Sequence, residues 1–138
     1  MAETAGWIAI VDDDPSVLSA LARLLRTHGL TPRTFTSARD FLTALSDGLP
    51  ECLIVDLQMP EMDGIELQRR LALSGAKIPT IVITAHNEAD ARDRSTSAGA
   101  FAFLAKPFQD VSLLAAIEAA TKRPRTRRRR PSNVKGKE

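Results

Sequence analysis

Carboxylates, a hydroxyl and an ammonium each stand directly after a greasy run in this chain. "IAIVDDDPS", residues 8–16, ends its apolar run in Asp12, Asp13 and Asp14. "CLIVDLQMPEMDG" ends one in Asp56, "TIVITAH" ends one in Thr84 and Ala85, and "FAFLAKPF" ends one in Lys106 and Pro107. Clustered carboxylates repel one another and resist desolvation beside a core, so this set calls for a cation. Hard oxygen donors, few enough to leave room for water, favour magnesium over zinc or a fully caged calcium. A magnesium ion flanked by a lysine and a hydroxyl suits a phosphoryl group. One carboxylate can then act as nucleophile and form an aspartyl phosphate. Asp56 stands alone after its run and is the better nucleophile; Asp12 and Asp13 can share the metal.

Such residues work only if the fold brings them together. The greasy runs at 8–11, 52–55, 80–84 and 101–104 are compact, as strands buried on both faces should be. A fifth run at 30–35 contains Pro32 and Arg33 and is expected at a sheet edge. Helical patterns fill the gaps. The first has Asp14 as N-cap, Pro15 at its first position and Gly29 as its stop. The second is capped by Ser37, the third by Asp63 with Glu66 at capping-box spacing, and the fifth by Asp110. The fourth, "NEADARDRSTSAG", offers only Ala89, Ala91 and Ala98 as apolar residues and should bury little area. Alternating strands and helices predict an α/β fold, a doubly wound parallel sheet of five strands in the order 2-1-3-4-5 with five flanking helices. Ligands of such sheets bind beyond the carboxyl ends of the strands, where all the residues above lie.

"VDDD" at 11–14, "DLQMPEMDG" at 56–64, "ITA" at 83–85 and "KPF" at 106–108, in this order and each at a strand end, resemble the receiver domain of response regulators. The likeness is to CheY-like receivers, FixJ-type in style, and covers about residues 7 to 122. It implies that Asp56 accepts phosphate from a histidine kinase or a histidine phosphotransfer domain. Asp13 would bind Mg2+ directly, Asp12 mainly through water, and the backbone carbonyl of Gln58 would be the third protein ligand. Lys106 would pair with a phosphoryl oxygen, and the Lys106–Pro107 bond would be cis. Thr84 would turn its hydroxyl toward the phosphoryl group, small Ala85 would leave space for it, and Phe103 would be the switch aromatic. Movement of Thr84 would let Phe103 rotate and change the face made by helix four, strand five and helix five. The implied protein is a phosphorylated signalling protein rather than an enzyme. Its output would be an unknown protein partner, with a phosphorylation-dependent dimer left open.

Several residues have plainer readings. Asp14 and Asp63 serve as caps, Phe103 has simple core packing as its alternative, and Met59 and Met62 read as packing. Trp7 covers the bottom of the core, and neither His28 nor His86 is given chemistry. Cys52 is the only cysteine and reads as a buried small hydrophobe, with no internal disulfide available. Hydrophobic residues make up 43% of the 138, enough for one domain with a full core. No apolar run approaches the roughly 18 residues of a membrane span, and "MAETAGW" lacks the layout of a secretory signal, which fits a cytoplasmic protein.

The net charge of +2 hides an asymmetry. Residues 122–138 hold nine of the 19 Lys and Arg, which leaves the rest at about −6. The expected division is a receiver domain, 1–122, and a disordered basic tail, 123–138, too short and polar for a second core. On that basis the chain reads as a stand-alone regulator. Two alternatives stand: "RTRRRR" could bind nucleic acid by counterion release, or a receiver-like fold could act without phosphorylation. Every motif position holds a competent residue, which argues against the latter.

Overall fold

The computed structural model describes residues 6–85 and 89–121. Five parallel strands, β1 (Ile8–Val11), β2 (Pro32–Phe35), β3 (Cys52–Asp56), β4 (Thr80–Thr84) and β5 (Ala102–Ala105), form one sheet in the order β2-β1-β3-β4-β5. Between and after them run α1 (Pro15–Thr27), α2 (Ala38–Ala44), α3 (Gly64–Ser74), α4 (Ala89–Ser97) and α5 (Asp110–Thr121). A strand turns successive side chains to opposite faces, and the core divides by that parity. Ala9, Val11, Leu53 and Val55 meet Phe41, Ile65, Leu67, Leu71 and Ala91 from α2, α3 and α4. Ile8, Ile10, Ile54, Ile81 and Ile83 meet Leu18, Leu21, Leu25, Leu113 and Ile117 from α1 and α5. The sheet is thus covered on both faces, as continuous apolar strands require.

The local signals account for most boundaries. Asp14 caps α1 by accepting the Ser16 N–H, with Pro15 at the first position. Ser37 caps α2 through the Asp40 N–H, and Asp63 caps α3 through the Glu66 N–H. The Glu66 carboxylate accepts from Arg70 Nε at 3.2 Å, an i,i+4 pair on the exposed face of α3. Four expectations need correction. The second strand starts at Pro32 rather than at residue 30, because the Leu30 N–H still closes α1 by donating to Leu25 O. The second helix tightens into a 3-10 turn at Leu45–Asp47. Asp110 is the first residue of α5 rather than the cap before it, and its charge sits in the first turn. The fifth strand is half-buried throughout rather than buried, because it is the outermost strand beside the thinly packed α4.

Cys52 is fully buried, and desolvation pushes its thiol up to about 12, so it is a packing residue. Gly64 is required by closeness. A Cβ there would lie 3.0 Å from the Asp56 carbonyl oxygen and 3.2 Å from Leu57 Cα, both backbone. The start of α3 is therefore packed against the strand end that carries Asp56, and the Gly64 N–H donates to Leu57 O at 3.1 Å. Gly64→Ala is expected to destabilise the protein by about 1–3 kcal/mol, the range for overpacking a tight site. A urea melt with an unshifted midpoint would contradict this close approach.

Candidate functional site

Strand register builds the site. Val11 pairs with Val55, so Asp12 and Asp56 leave the central strands at the same height. On the other side Thr84 pairs with Ala105, and the Lys106 N–H donates to Thr84 O at 2.7 Å. Lys106 thus starts one residue beyond the same edge and reaches back over it. Each central carboxylate is held twice. Asp12 Oδ1 accepts the Asp14 N–H at 2.9 Å, and Asp56 Oδ1 accepts the Gln58 N–H at 3.1 Å. These two-residue turns aim both Oδ2 atoms at Lys106 Nζ, which lies 3.4 Å from each. Asp13 is exposed beside them, and one oxygen from each of Asp12, Asp13 and Asp56 lies within 4.8 Å of the others.

The electrostatics follow from this geometry. Burial pushes the Asp12 carboxyl above its usual value, its bond from the Asp14 N–H opposes this, and the nearby Asp56 charge adds to the rise. Burial works against the Lys106 charge, but Asp56 and Asp12 outweigh it and hold the ammonium above its ordinary value. Asp14, bonded to the Ser16 hydroxyl and N–H, is held below its usual value, as suits a cap outside the cluster.

The family model described as the response regulator receiver domain fits residues 8–118. The chain belongs to the response regulator receiver domain family. It is 43% identical over 122 residues to the response regulator protein TodT of Pseudomonas putida, covering 88% of this chain and 54% of that protein. It is 44% identical over 115 residues to TmoT of Ectopseudomonas mendocina, covering 83% of this chain and 52% of TmoT. The chain therefore spans about half the length of the curated relatives it matches. Among solved structures, FixJ-N is 36% identical with a TM-score of 0.80, covering 90% of this chain and 98% of that one. A receiver protein from Burkholderia phymatum is 45% identical with a TM-score of 0.76, covering 84% and 94%.

Receiver domains typically bind Mg2+ at their acidic cluster, and the donors here suit that ion: three carboxylates, without histidine or cysteine among them. The remaining expected positions fall as follows. Thr84 is fully buried at the end of β4, and Ala85 is exposed just beyond it. Gln58 is exposed, and its backbone N–H already orients Asp56. The Lys106–Pro107 peptide bond is cis. Phe103 is half-buried in β5 and packs against the core on the α2–α3–α4 face. His86 and the basic stretch 122–138 lie outside the described residues. Among the described residues no helix is long and apolar enough to cross a membrane.

Two contributors escaped the sequence reading. Gly64 stands at the end of the "DLQMPEMDG" stretch, and only the fold shows that its missing Cβ seats the Asp56 backbone. Arg92 of α4 lies over the Phe103 ring, 4.6 Å from its centroid. An arginine on an exposed helix carries no linear signal that an aromatic on the next strand lies beneath it.

Proposed function

We propose that this receiver domain takes a phosphoryl group on Asp56 from the phosphohistidine of a histidine kinase or a histidine phosphotransfer domain. The Asp56 carboxylate oxygen forms the new O–P bond, the N–P bond breaks, and the imidazole leaves with its electron pair. The observation that carries the reading is Lys106 Nζ set 3.4 Å from both Asp12 and Asp56. A cation held there can follow charge from the carboxylate to the phosphoryl oxygens. Asp12, Asp13 and the Gln58 carbonyl are the candidate holders of Mg2+, which when bound supplies further positive charge to those oxygens. Ala85 leaves room beside them. Thr84, at the end of the neighbouring strand β4, would turn its hydroxyl toward the added oxygens.

The consequence is a change of surface. The added group brings about two negative charges and several acceptors to a cluster already short of cations. Thr84 and Phe103 lie on the same face of the sheet, so movement of one makes space for the other. Partner binding would change on the face of α4, β5 and α5, where α4 buries only Ala91 and Ser95 and can shift at small cost.

The test is direct. Incubated with a small phosphodonor and Mg2+, the protein should gain the mass of one phosphoryl group by intact mass spectrometry. The gain should be blocked by EDTA and reversed by hydroxylamine, which cleaves acyl phosphates. A protein that gains nothing with any donor acts without phosphorylation.

A further inference from the structure

At the end of the sheet opposite Asp56, α3 and α4 leave a groove between them. It joins a cavity of about 320 Å3, beside Thr80 at the start of β4, to an outer channel of about 500 Å3. Ala72 of α3 and Ala98, just after α4, line both, so the two are continuous. Leu73, on the channel wall, is 88% exposed, more than any other large hydrophobic side chain among the described residues. One exposed leucine is ordinary. One that continues into a cavity lined by Leu71 and Ile78 is an apolar surface with room for a guest. Arg69 and Arg94 line the channel and Lys77 the cavity, against one carboxylate, Asp93. This is a basic rim on a domain whose first 121 residues sum to about −6. The arginines are loosely held. Glu66 takes Arg70 at 3.2 Å and Arg69 only at 3.7 Å, and Arg94 lies 3.8 Å from Asp90, all in pairs open to water. Such pairs are weak and exchange readily. On the cavity wall, Gln68 is 4% exposed, and its Oε1 is buried without a hydrogen-bond partner. An acceptor left in that state favours a guest that brings a donor.

We propose that this groove is a docking site for an acidic amphipathic helix of a partner protein. The apolar stripe of that helix lies on Leu73, Ala72 and Ala98, and its flanking carboxylates pair with Arg69, Arg94 and Lys77. One anchor enters the cavity, an aromatic side chain tipped with a donor, as tryptophan is, whose N–H bonds Gln68 Oε1. A helix laid in a groove by its apolar face is a general mode of recognition. Charge decides against the other occupants. The stretch 122–138 is itself basic and is repelled by the three cations. A two-fold pairing of the groove with itself would set arginine against arginine. The groove is lined by neither β5 nor α5 and lies at the far end of the sheet from Asp56, so the docking does not rest on the phosphoryl reading.

The probe is a synthetic helical peptide with leucine at i, i+3, i+4 and i+7 spacing, one central tryptophan and glutamate elsewhere. It is added to the unphosphorylated 138-residue chain. Backbone amide shifts by NMR should concentrate in 68–80 and 93–99. A second peptide, with serine in place of leucine and tryptophan, reports what the basic stretch 122–138 binds through charge alone, and it should leave those amides unmoved. Leu73→Ser, at a position exposed enough to leave the fold intact, should weaken binding by about tenfold or more, as loss of a central contact does. Arg69→Gln with Arg94→Gln should weaken it and flatten its dependence on salt. Phenylalanine in place of the peptide's tryptophan should weaken it about tenfold, the scale of one buried acceptor left without its donor. Shifts centred elsewhere, equal binding by a peptide with lysine for glutamate, or full affinity in Leu73→Ser overturns the proposal. So do shifts of the same amides on raising the protein concentration alone, which would make a second copy the occupant.

Discussion

Asp56→Asn and Asp13→Ala should both show no phosphoryl mass gain, and they should fail for different reasons. Asp56→Asn removes the attacking oxygen's charge but keeps an acceptor for the Gln58 N–H and a side chain of the same shape at the end of β3. The fold should be retained, and Mg2+ binding weakened but measurable, because Asp12 and Asp13 remain. Asp13→Ala leaves Asp56 and Lys106 in place but removes the one exposed carboxylate of the cluster, the donor nearest to solvent and least committed to other bonds. Mg2+-dependent phosphorylation should be lost together with Mg2+ binding by titration calorimetry. Asp14→Ala is the control one residue away. Its backbone N–H, which orients Asp12, survives the substitution, and only the cap on Ser16 is lost. It should phosphorylate normally and melt at a lower temperature. If Asp14→Ala lost phosphorylation while Asp13→Ala kept it, the division of the acidic run into ligand and cap would be wrong.

Much of this geometry was legible because the site lies where the strands end. A continuous apolar run such as that of Cys52, Leu53, Ile54 and Val55 marks a buried parallel strand, and the first polar residue after it must emerge at the site edge. Caps were legible for a similar reason, since Asp14, Ser37 and Asp63 act on backbone N–H groups two or three residues away. What escaped depends on neighbours distant in sequence. The run Phe101 to Leu104 has the composition of a buried strand, and only its outermost place in the sheet leaves β5 half-exposed. Gln68 looks like an ordinary polar residue of an amphipathic helix, and its burial is set by α4 lying across it. The Arg92–Phe103 stack joins two elements through a loop, so no periodicity registers it. Strand-end chemistry is thus written locally, whereas the packing of α4, which the proposed switch depends on, is written in pairs.

Asp12→Asn should make the metal-free protein more stable while removing its response to Mg2+. Asp12 is 1% exposed, and its carboxyl is held above its usual value by burial and by the Asp56 charge, even with Lys106 attracting it. Folding therefore penalises its ionised form relative to the unfolded chain, and a neutral side chain of the same shape avoids that penalty. The gain at pH 7.5 in EDTA should be at least about 1 kcal/mol, since two like unit charges about 4 Å apart repel by that much in bulk water and by more in a buried site. The sign with pH is fixed by linkage. A raised folded value means that Asp12 contributes stability when protonated, fully below its unfolded value near 3.8, and loses it as pH rises through the folded value. The advantage of Asp12→Asn should accordingly vanish below about pH 3.8, where both proteins are neutral at this position, and grow through the acid range. Lys106 behaves differently, because its ammonium, held above 10.5, contributes stability that fades only as pH rises through that raised value, outside this window. Adding Mg2+ at tenfold over Kd should raise the parent by about 1.4 kcal/mol and the variant by much less, narrowing or reversing the order. Thermal melts across pH with and without Mg2+ read all of these shifts. A variant less stable than the parent in EDTA at pH 7.5 would show that the Lys106 bond, and not desolvation and repulsion, governs Asp12.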